Sequence, residues 1–131
     1  MQLRTITLDD YQKLTKFWKE NYFLSEMDNS SHFFNFLEKN PELSVLIEDN
    51  GEIIGTALGS YDGRRGYLQK VVTNRESRKK GIGKQLVNEV VKRLKAIGAL
   101  YIPISVEEEL IPFYEKCGFV KKSSISMSMD L

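Results

Sequence analysis

Residues 77–86 read SRKKGIGKQL: three consecutive cations, two glycines one residue apart, and then the start of an apolar-periodic stretch. Cations and glycines ahead of a helix suit a backbone that grips phosphate. Glycine leaves room for amides to converge, and a helix N-terminus adds partial positive charge. From Arg75 to Lys84, five cations (Arg75, Arg78, Lys79, Lys80, Lys84) against Glu76 leave a local charge of +4, where the whole chain carries +1. Two common phosphate loops do not fit. A G-x-x-x-x-G-K-[ST] loop ending at Gly83-Lys84 needs glycine where Arg78 stands and a hydroxyl where Gln85 stands. A G-x-G-x-x-G fingerprint from Gly81 meets Leu86 at its third glycine, and no acidic residue closes a strand about 20 positions on.

Outward from that stretch the chain alternates strand and helix patterns. Downstream, Ile82, Leu86, Val87, Val90, Val91, Leu94 and Ile97 recur at helical spacing, with Gly98 as the stop. ALYIPISV (99–106) reads as a strand. Leu110, Ile111, Phe113, Tyr114 and Cys117 read as a short helix, with Pro112 in its first turn and Gly118 after it. FVKKSSISMSMDL (119–131) alternates like one or two closing strands.

Upstream, YLQKVVT (67–73) is the strand entering the loop. The turn DGRRG (62–66) separates it from EIIGTALGSY, and Asn50-Gly51 predicts a hairpin between that strand and LSVLIED. QLRTITL opens the chain as a strand with Leu3, Ile6 and Leu8 inward. Asp9 then reads as a helix cap with Gln12 completing a capping box. That helix holds Leu14, Phe17, Trp18 and Tyr22. Ser30 reads as the cap of a second helix holding Phe33, Phe34 and Leu37, ended by Asn40-Pro41. Aromatics at this spacing read as core packing. The order β-α-α-β-β-β-α-β-α-β predicts an α/β or α+β domain with helices on the faces of a mixed sheet.

The chain has 131 residues, 41% of them apolar and 28% charged, which fits one soluble globular domain spanning 1–131. Its net charge of +1 provides no global field for nucleic acid or membrane, and single Cys117 excludes an internal disulfide and a multi-cysteine metal site. No apolar run reaches about 18 residues and MQLRTITLDD does not read as a signal peptide, so a cytoplasmic location is expected.

The pattern Arg78-x-x-Gly81-x-Gly83 after a strand and at the mouth of a helix resembles the coenzyme A loop of the GCN5-related N-acetyltransferases, the GNAT superfamily, (Q/R)-x-x-G-x-(G/A). YLQKVVTNRESRKKGIGKQLV resembles that family's strand-loop-helix segment, and LIPFYEKCGF resembles its second motif. GTALGSYDGRRGY is similar to a bacterial subgroup with a G-x-D-G-x-R-G hairpin before the strand. The resemblance covers nearly the whole chain, about residues 3 to 131. It implies a central sheet of about six to seven strands with about four helices, two splayed strands forming an acetyl-CoA cleft, and transfer of acetyl to a primary amine with no metal.

Carried over residue by residue, the resemblance implies that backbone groups of Val71, Val72 and Thr73 meet the pantetheine and thioester. Arg78, Lys79, Lys80, Gly81, Ile82, Gly83 and Lys84 would cradle the phosphates. Tyr114 matches the tyrosine that acts as general acid at the coenzyme sulfur. Glu107 stands where the family often has a pantetheine-binding Asn. The family often places a glutamate on the strand before the loop, but Tyr67 to Thr73 contains no acid, so no base is assigned. Cys117 reads as packing, which favours direct attack in a ternary complex, and lone His32 reads as solvent-facing. Trp18, Tyr22 and LSEMDNSS fall in the family's acceptor region, where Glu26 and Asp28 read either as attractors of an ammonium or as a solvated loop. The expected partner is a small-molecule or peptide amine, without nucleic acid or membrane, the chain being a monomer or homodimer. Two rivals remain at this point. One is a catalytically degenerate domain that binds coenzyme A as a sensor or partner module. The other is a nucleic-acid-binding domain, against which residues 75–84 offer no aromatic for stacking.

Overall fold

Strand alternation decides which side of the sheet each helix covers. The computed structural model describes residues 1–131. Strands β1 (Gln2–Thr5), β2 (Val45–Asp49), β3 (Glu52–Tyr61) and β4 (Gly66–Thr73) form one antiparallel sheet in that order. Helices α1 (Tyr11–Asn21) and α2 (Ser30–Lys39) lie between β1 and β2 in the chain. Helix α3 (Ile82–Ala96) follows β4, and α4 (Ile111–Lys116) comes last. In β2, Leu46 joins Leu14, Phe17, Trp18 and Phe33 in the core under α1 and α2. Its neighbours Val45 and Ile47 join Ile82, Leu86, Val90 and Leu94 under α3. The result is three layers, an α+β sandwich with a separate apolar core on each face of the sheet.

Helix α3 sits unusually close to the sheet. A Cβ on Gly55 would lie 2.7 Å from Leu86 Cδ1, one on Gly59 2.7 Å from Val90 Cγ1, and one on Gly66 2.7 Å from Leu94 Cδ1. The three glycines form a track into which successive turns of α3 settle.

The sheet has four strands, not the six to seven expected, and it is antiparallel rather than mixed. ALYIPISV forms only the start of a strand. Leu100 N–H donates to Arg64 O (3.2 Å) and Gly66 N–H to Tyr101 O (2.9 Å), making one parallel bridge between Arg65 and Tyr101. Residues 102–106 then leave β4. The closing stretch 119–131 has strand-like alternation but no ladder, and it meets the diverging segment through Ser105 and Ser126, whose hydroxyls lie 2.8 Å apart.

Two helix starts also differ from expectation. The Asp10 carboxylate, not Asp9, closes the first turn by accepting from Thr7 N–H at 2.8 Å, because Arg4 holds it from the other side at 2.8 and 2.9 Å. Burial opposes that charge, but the bonds from Arg4 and Thr7 outweigh it and hold the Asp10 carboxyl below its usual range. Asn29, not Ser30, caps α2 by accepting from His32 N–H at 2.9 Å. The turns at Asn50-Gly51, Gly98 and Gly118 are as expected, all with left-handed backbone. No helix is long and apolar enough to cross a membrane.

Gly59 tests the track, because a Cβ there would stand 2.5 Å from the backbone oxygen of Leu43, which cannot swing aside. Gly59→Ala should therefore cost about 2 kcal/mol or more of unfolding free energy, read from urea denaturation.

Candidate active site

The end of β4, the loop before α3 and the start of α4 meet at one point. A Cβ built on Gly83 would lie 3.1 Å from the Phe113 ring and 3.7 Å from the Thr73 methyl. Residues on three separate elements therefore converge on the first turn of α3. Gly83 thus packs tightly against α4, and a side chain there would require the Phe113 ring to give way by a few tenths of an ångström. The sequence offered no way to separate this packing from a role in freeing amides.

The loop itself is rigidly begun. Asn74 N–H donates to Ile54 O (3.0 Å), and the Asn74 side chain accepts from Ser77 N–H (3.0 Å), with Ser77 buried. Lys79 (φ 68°) and Gly81 (φ 81°) are both left-handed, a geometry that turns neighbouring amides toward one side. The first α3 bond runs from Gln85 N–H to Gly81 O (3.0 Å), so the amides of Ile82, Gly83 and Lys84 have no intrahelical acceptor. Arg78, Lys79, Lys80 and Lys84 are exposed. The ion pairs of the chain join Met1, Arg4, Lys70 and Arg93 to acids elsewhere and leave these loop cations uncommitted.

On β4 the peptide groups divide. Asn74 is bonded to Ile54, and antiparallel alternation then turns Val72 toward β3 and Thr73 toward the outer edge. Val72 also buries its side chain in the α1/α2 core. Between the pairs Thr56–Val72 and Leu58–Gln69, both Lys70 and Val71 face Ala57 alone, a β-bulge that leaves one residue without a ladder partner. Residues 102–106 make no bond to β4, so the outer-edge peptide groups of β4 beyond its first residue have no ladder partner.

Tyr114 is half-buried, edge-on to Phe113 (centroids 4.9 Å apart) and to Phe119 (5.7 Å). Burial, with smaller contributions from Cys117 and Tyr22, leaves its phenol pushed up to about 12. Burial likewise pushes the Cys117 thiol up, against an opposing pull from Lys84. Glu107 is exposed and opens the turn into α4, its carbonyl accepting from Leu110 N–H at 2.9 Å. The structure thus brings Thr73, Gly83 and the helix of Tyr114 together and leaves Glu107 on the rim. His32 is exposed, and so is Glu26. The Asp28 side chain is about nine-tenths buried and already paired with Lys70 at 3.0 Å.

A profile of the acetyltransferase (GNAT) family matches residues 6–119. The chain belongs to the GNAT acetyltransferase family. An acetyltransferase of Pectobacterium atrosepticum is 29% identical over all of the chain and 96% of its own length, and one of Yersinia pestis is 28% identical over the same shares. Among solved structures, glucosamine-6-phosphate N-acetyltransferase from Arabidopsis thaliana superposes with a TM-score of 0.77 at 23% identity, covering 98% of this chain and 97% of that one. An aminoglycoside 6′-N-acetyltransferase from Acinetobacter haemolyticus gives 0.75 at 12% identity, covering 100% and 99%. Those two likenesses concern the fold.

Lys70 is the residue that motif reading passed over in this GNAT domain. Its sequence neighbours give no signal for it: it follows Gln69 on a strand, and its partners Trp18, Tyr22, Phe23 and Asp28 lie more than 40 positions away.

The two loop glycines should separate by substitution. Gly81→Ala meets no atom within 4 Å and pays only for its left-handed backbone, about 1 kcal/mol, which Gly81→Asn should largely recover. Gly83→Ala should instead displace Phe113, seen as a changed near-ultraviolet aromatic dichroism in a folded protein.

Proposed function

We propose that this GNAT acetyltransferase uses acetyl-CoA to acetylate a primary amine, by direct attack within a ternary complex. One observation carries the reading: free helix amides and uncommitted cations lie at the end of a strand whose outer edge is open, with Tyr114 beside it. The residues present fit the coenzyme. The amides of Ile82, Gly83 and Lys84 and the side chains of Arg78, Lys79, Lys80 and Lys84 would hold its phosphates. The outer-edge peptide groups of Thr73 and Val71 would pair its pantetheine amides and polarise the thioester carbonyl. Val72, with its peptide group turned to β3, supports the strand from within. Glu107 would lie along the rim. When bound, acetyl-CoA supplies an acyl group on a thiolate leaving group.

Tyr114 is protonated at neutral pH and faces the developing negative charge. A phenol at about 12 does not hand its proton outright to a thiolate whose conjugate acid lies near about 8.5. It donates a hydrogen bond to sulfur as charge grows there. Cys117, with its thiol kept neutral, is a poor nucleophile, which supports direct transfer over a cysteinyl intermediate. The hairpin before β4 is similar to the bacterial subgroup pattern, with two residues rather than one between Gly59 and Asp62. Asp62 closes this turn by accepting from the amides of Arg64 (2.8 Å) and Arg65 (2.7 Å) and from the Tyr67 hydroxyl (3.0 Å).

The test is release of free thiol from acetyl-CoA with a panel of amines: spermidine, lysine, a short peptide, kanamycin and glucosamine 6-phosphate. Binding of coenzyme A without turnover on any amine would reverse the assignment to a binding module.

Tyr114→Phe should lower kcat at least about tenfold with little change in acetyl-CoA affinity. Because the raised pKa keeps the phenol protonated, the variant should retain the wild-type pH profile between about pH 6 and about pH 10, at the lower level. A separate alkaline limb that disappears in the variant would contradict this. Replacing Lys79, Lys80 and Lys84 together by alanine should raise the acetyl-CoA KM, more at low salt than at high salt.

A further inference from the structure

Residues 22–29 connect α1 to α2 and carry the exposed side chains Tyr22, Phe23, Leu24 and Met27. Lys70 joins this connection to β4, the strand whose last residue, Thr73, lies beside Gly83. Its only ordered turn of its own is a short 3-10 helix at Glu26–Asp28.

The side chain that ties this connection to the sheet is Lys70. Its ammonium donates to Phe23 O at 2.9 Å and pairs with Asp28 Oδ2 at 3.0 Å, with both side chains about nine-tenths buried. It also stands 4.5 Å from the Phe23 ring centre and 5.2 Å from those of Tyr22 and Trp18. Asp28 in turn accepts from Ser25 N–H at 2.9 Å, and its carbonyl accepts from the Tyr11 hydroxyl at 2.8 Å. A single ammonium thus grips the connection near both its ends.

At the backbone, Lys70 is the left-handed residue (φ 50°) of the β4 bulge. Its carbonyl accepts from the Thr56 hydroxyl at 2.8 Å, and that hydroxyl accepts from Trp18 Nε1–H at 3.0 Å. Trp18 therefore supports Lys70 twice, through Thr56 at the carbonyl and through its ring face beneath the ammonium.

We propose that Lys70 is a positioning residue that locks the acceptor-side wall, residues 22–29, to the β4 bulge that faces the acyl donor. Asp28 is its partner in this lock and is spent on it, so Asp28 is not the group that attracts the acceptor's ammonium. The kinetic part of this inference rests on the acetyl-transfer reading; the structural part does not.

The test compares Lys70→Met, Lys70→Arg, Asp28→Asn and the double variant Lys70→Met/Asp28→Asn with the wild type. Amide hydrogen exchange should quicken about tenfold across 22–29 in Lys70→Met and Asp28→Asn, while α3 stays protected. For the panel amine with the highest wild-type kcat/KM, the acceptor KM should rise at least about fivefold, while acetyl-CoA affinity by calorimetry stays within about twofold. The double variant should be no worse than either single one, and Lys70→Arg should restore most of the acceptor KM. Unchanged exchange in 22–29 overturns the lock. So does an acetyl-CoA affinity that falls as far as the acceptor KM rises, because Lys70 would then act on the donor side. If Lys70→Met does not fold, Asp28→Asn decides by the same measurements. If the wild type acetylates no amine, the proposed function fails and hydrogen exchange still decides the lock.

Discussion

The close approach of α3 to the sheet governs where everything else can be. Gly55, Gly59 and Gly66 have no side chain to hold the helix away, and Ile82, Leu86, Val90 and Leu94 fill the space they leave. Gly55 is the register partner of Thr73, so the first turn of α3 lies over the last residue of β4. The chain must travel from Thr73 to Ile82 within that short distance. It does so with a capped turn at Asn74–Ser77 and two left-handed residues, which leaves the helix amides facing outward beside the strand end. A larger residue at any point of the track would lift the helix and separate amides from strand. The candidate phosphate cradle is in this sense a consequence of core packing.

The second constraint is the divergence beside β4. One parallel bridge at Arg65–Tyr101, reinforced by the Arg65 guanidinium 5.4 Å from the Tyr101 ring centre, holds the two segments together at one end only. From there the outer edge of β4 is unpaired. An open edge normally invites aggregation, but here the bulge at Lys70–Val71 interrupts its regularity and twists it, one of the ways sheet edges are protected. The same bulge turns one peptide group out of the ladder, which in the proposed reaction polarises the thioester. Protection of the edge and presentation of a donor group come from one backbone irregularity.

Local signals were legible in the sequence and partner-dependent ones were not. Helix α3, the hairpin at Asn50-Gly51 and the stops at Gly98 and Gly118 depend on residues within a few positions of each other, and each is found where expected. Residues 99–106 and 119–131 have strand-like alternation, but a strand exists only through its neighbour, and β4 releases the first of these after one bridge. The cap lies at Asp10, not Asp9, because Arg4, on a strand, holds the Asp10 carboxylate beside Thr7 N–H. At the site, Gly81 and Gly83 look alike in sequence. Only the structure shows Gly83 filled by Phe113 and Gly81 facing open space. Lys70 was hidden for a related reason. Its aromatic and acidic partners lie more than 40 positions away, and only the fold assembles them.

Taken together, the charges around the cleft are divided by side. Along the α3 loop, Arg78, Lys79, Lys80 and Lys84 are exposed and uncommitted, so the donor side carries a net positive field. On the opposite wall the one buried cation, Lys70, is neutralised by Asp28 and flanked by rings, beside an exposed apolar lip of Tyr22, Phe23 and Leu24. Between them, burial pushes the Tyr114 phenol up to about 12 and raises the Cys117 thiol, so neither carries a negative charge at neutral pH. In the proposed reaction, the loop cations and the Tyr114 hydroxyl would both favour the charge that grows on sulfur as the acyl group departs. If the acceptor is an amine that enters along this wall, a free carboxylate at Asp28 would favour its charged, unreactive form. Pairing Asp28 with Lys70 removes that opposing influence.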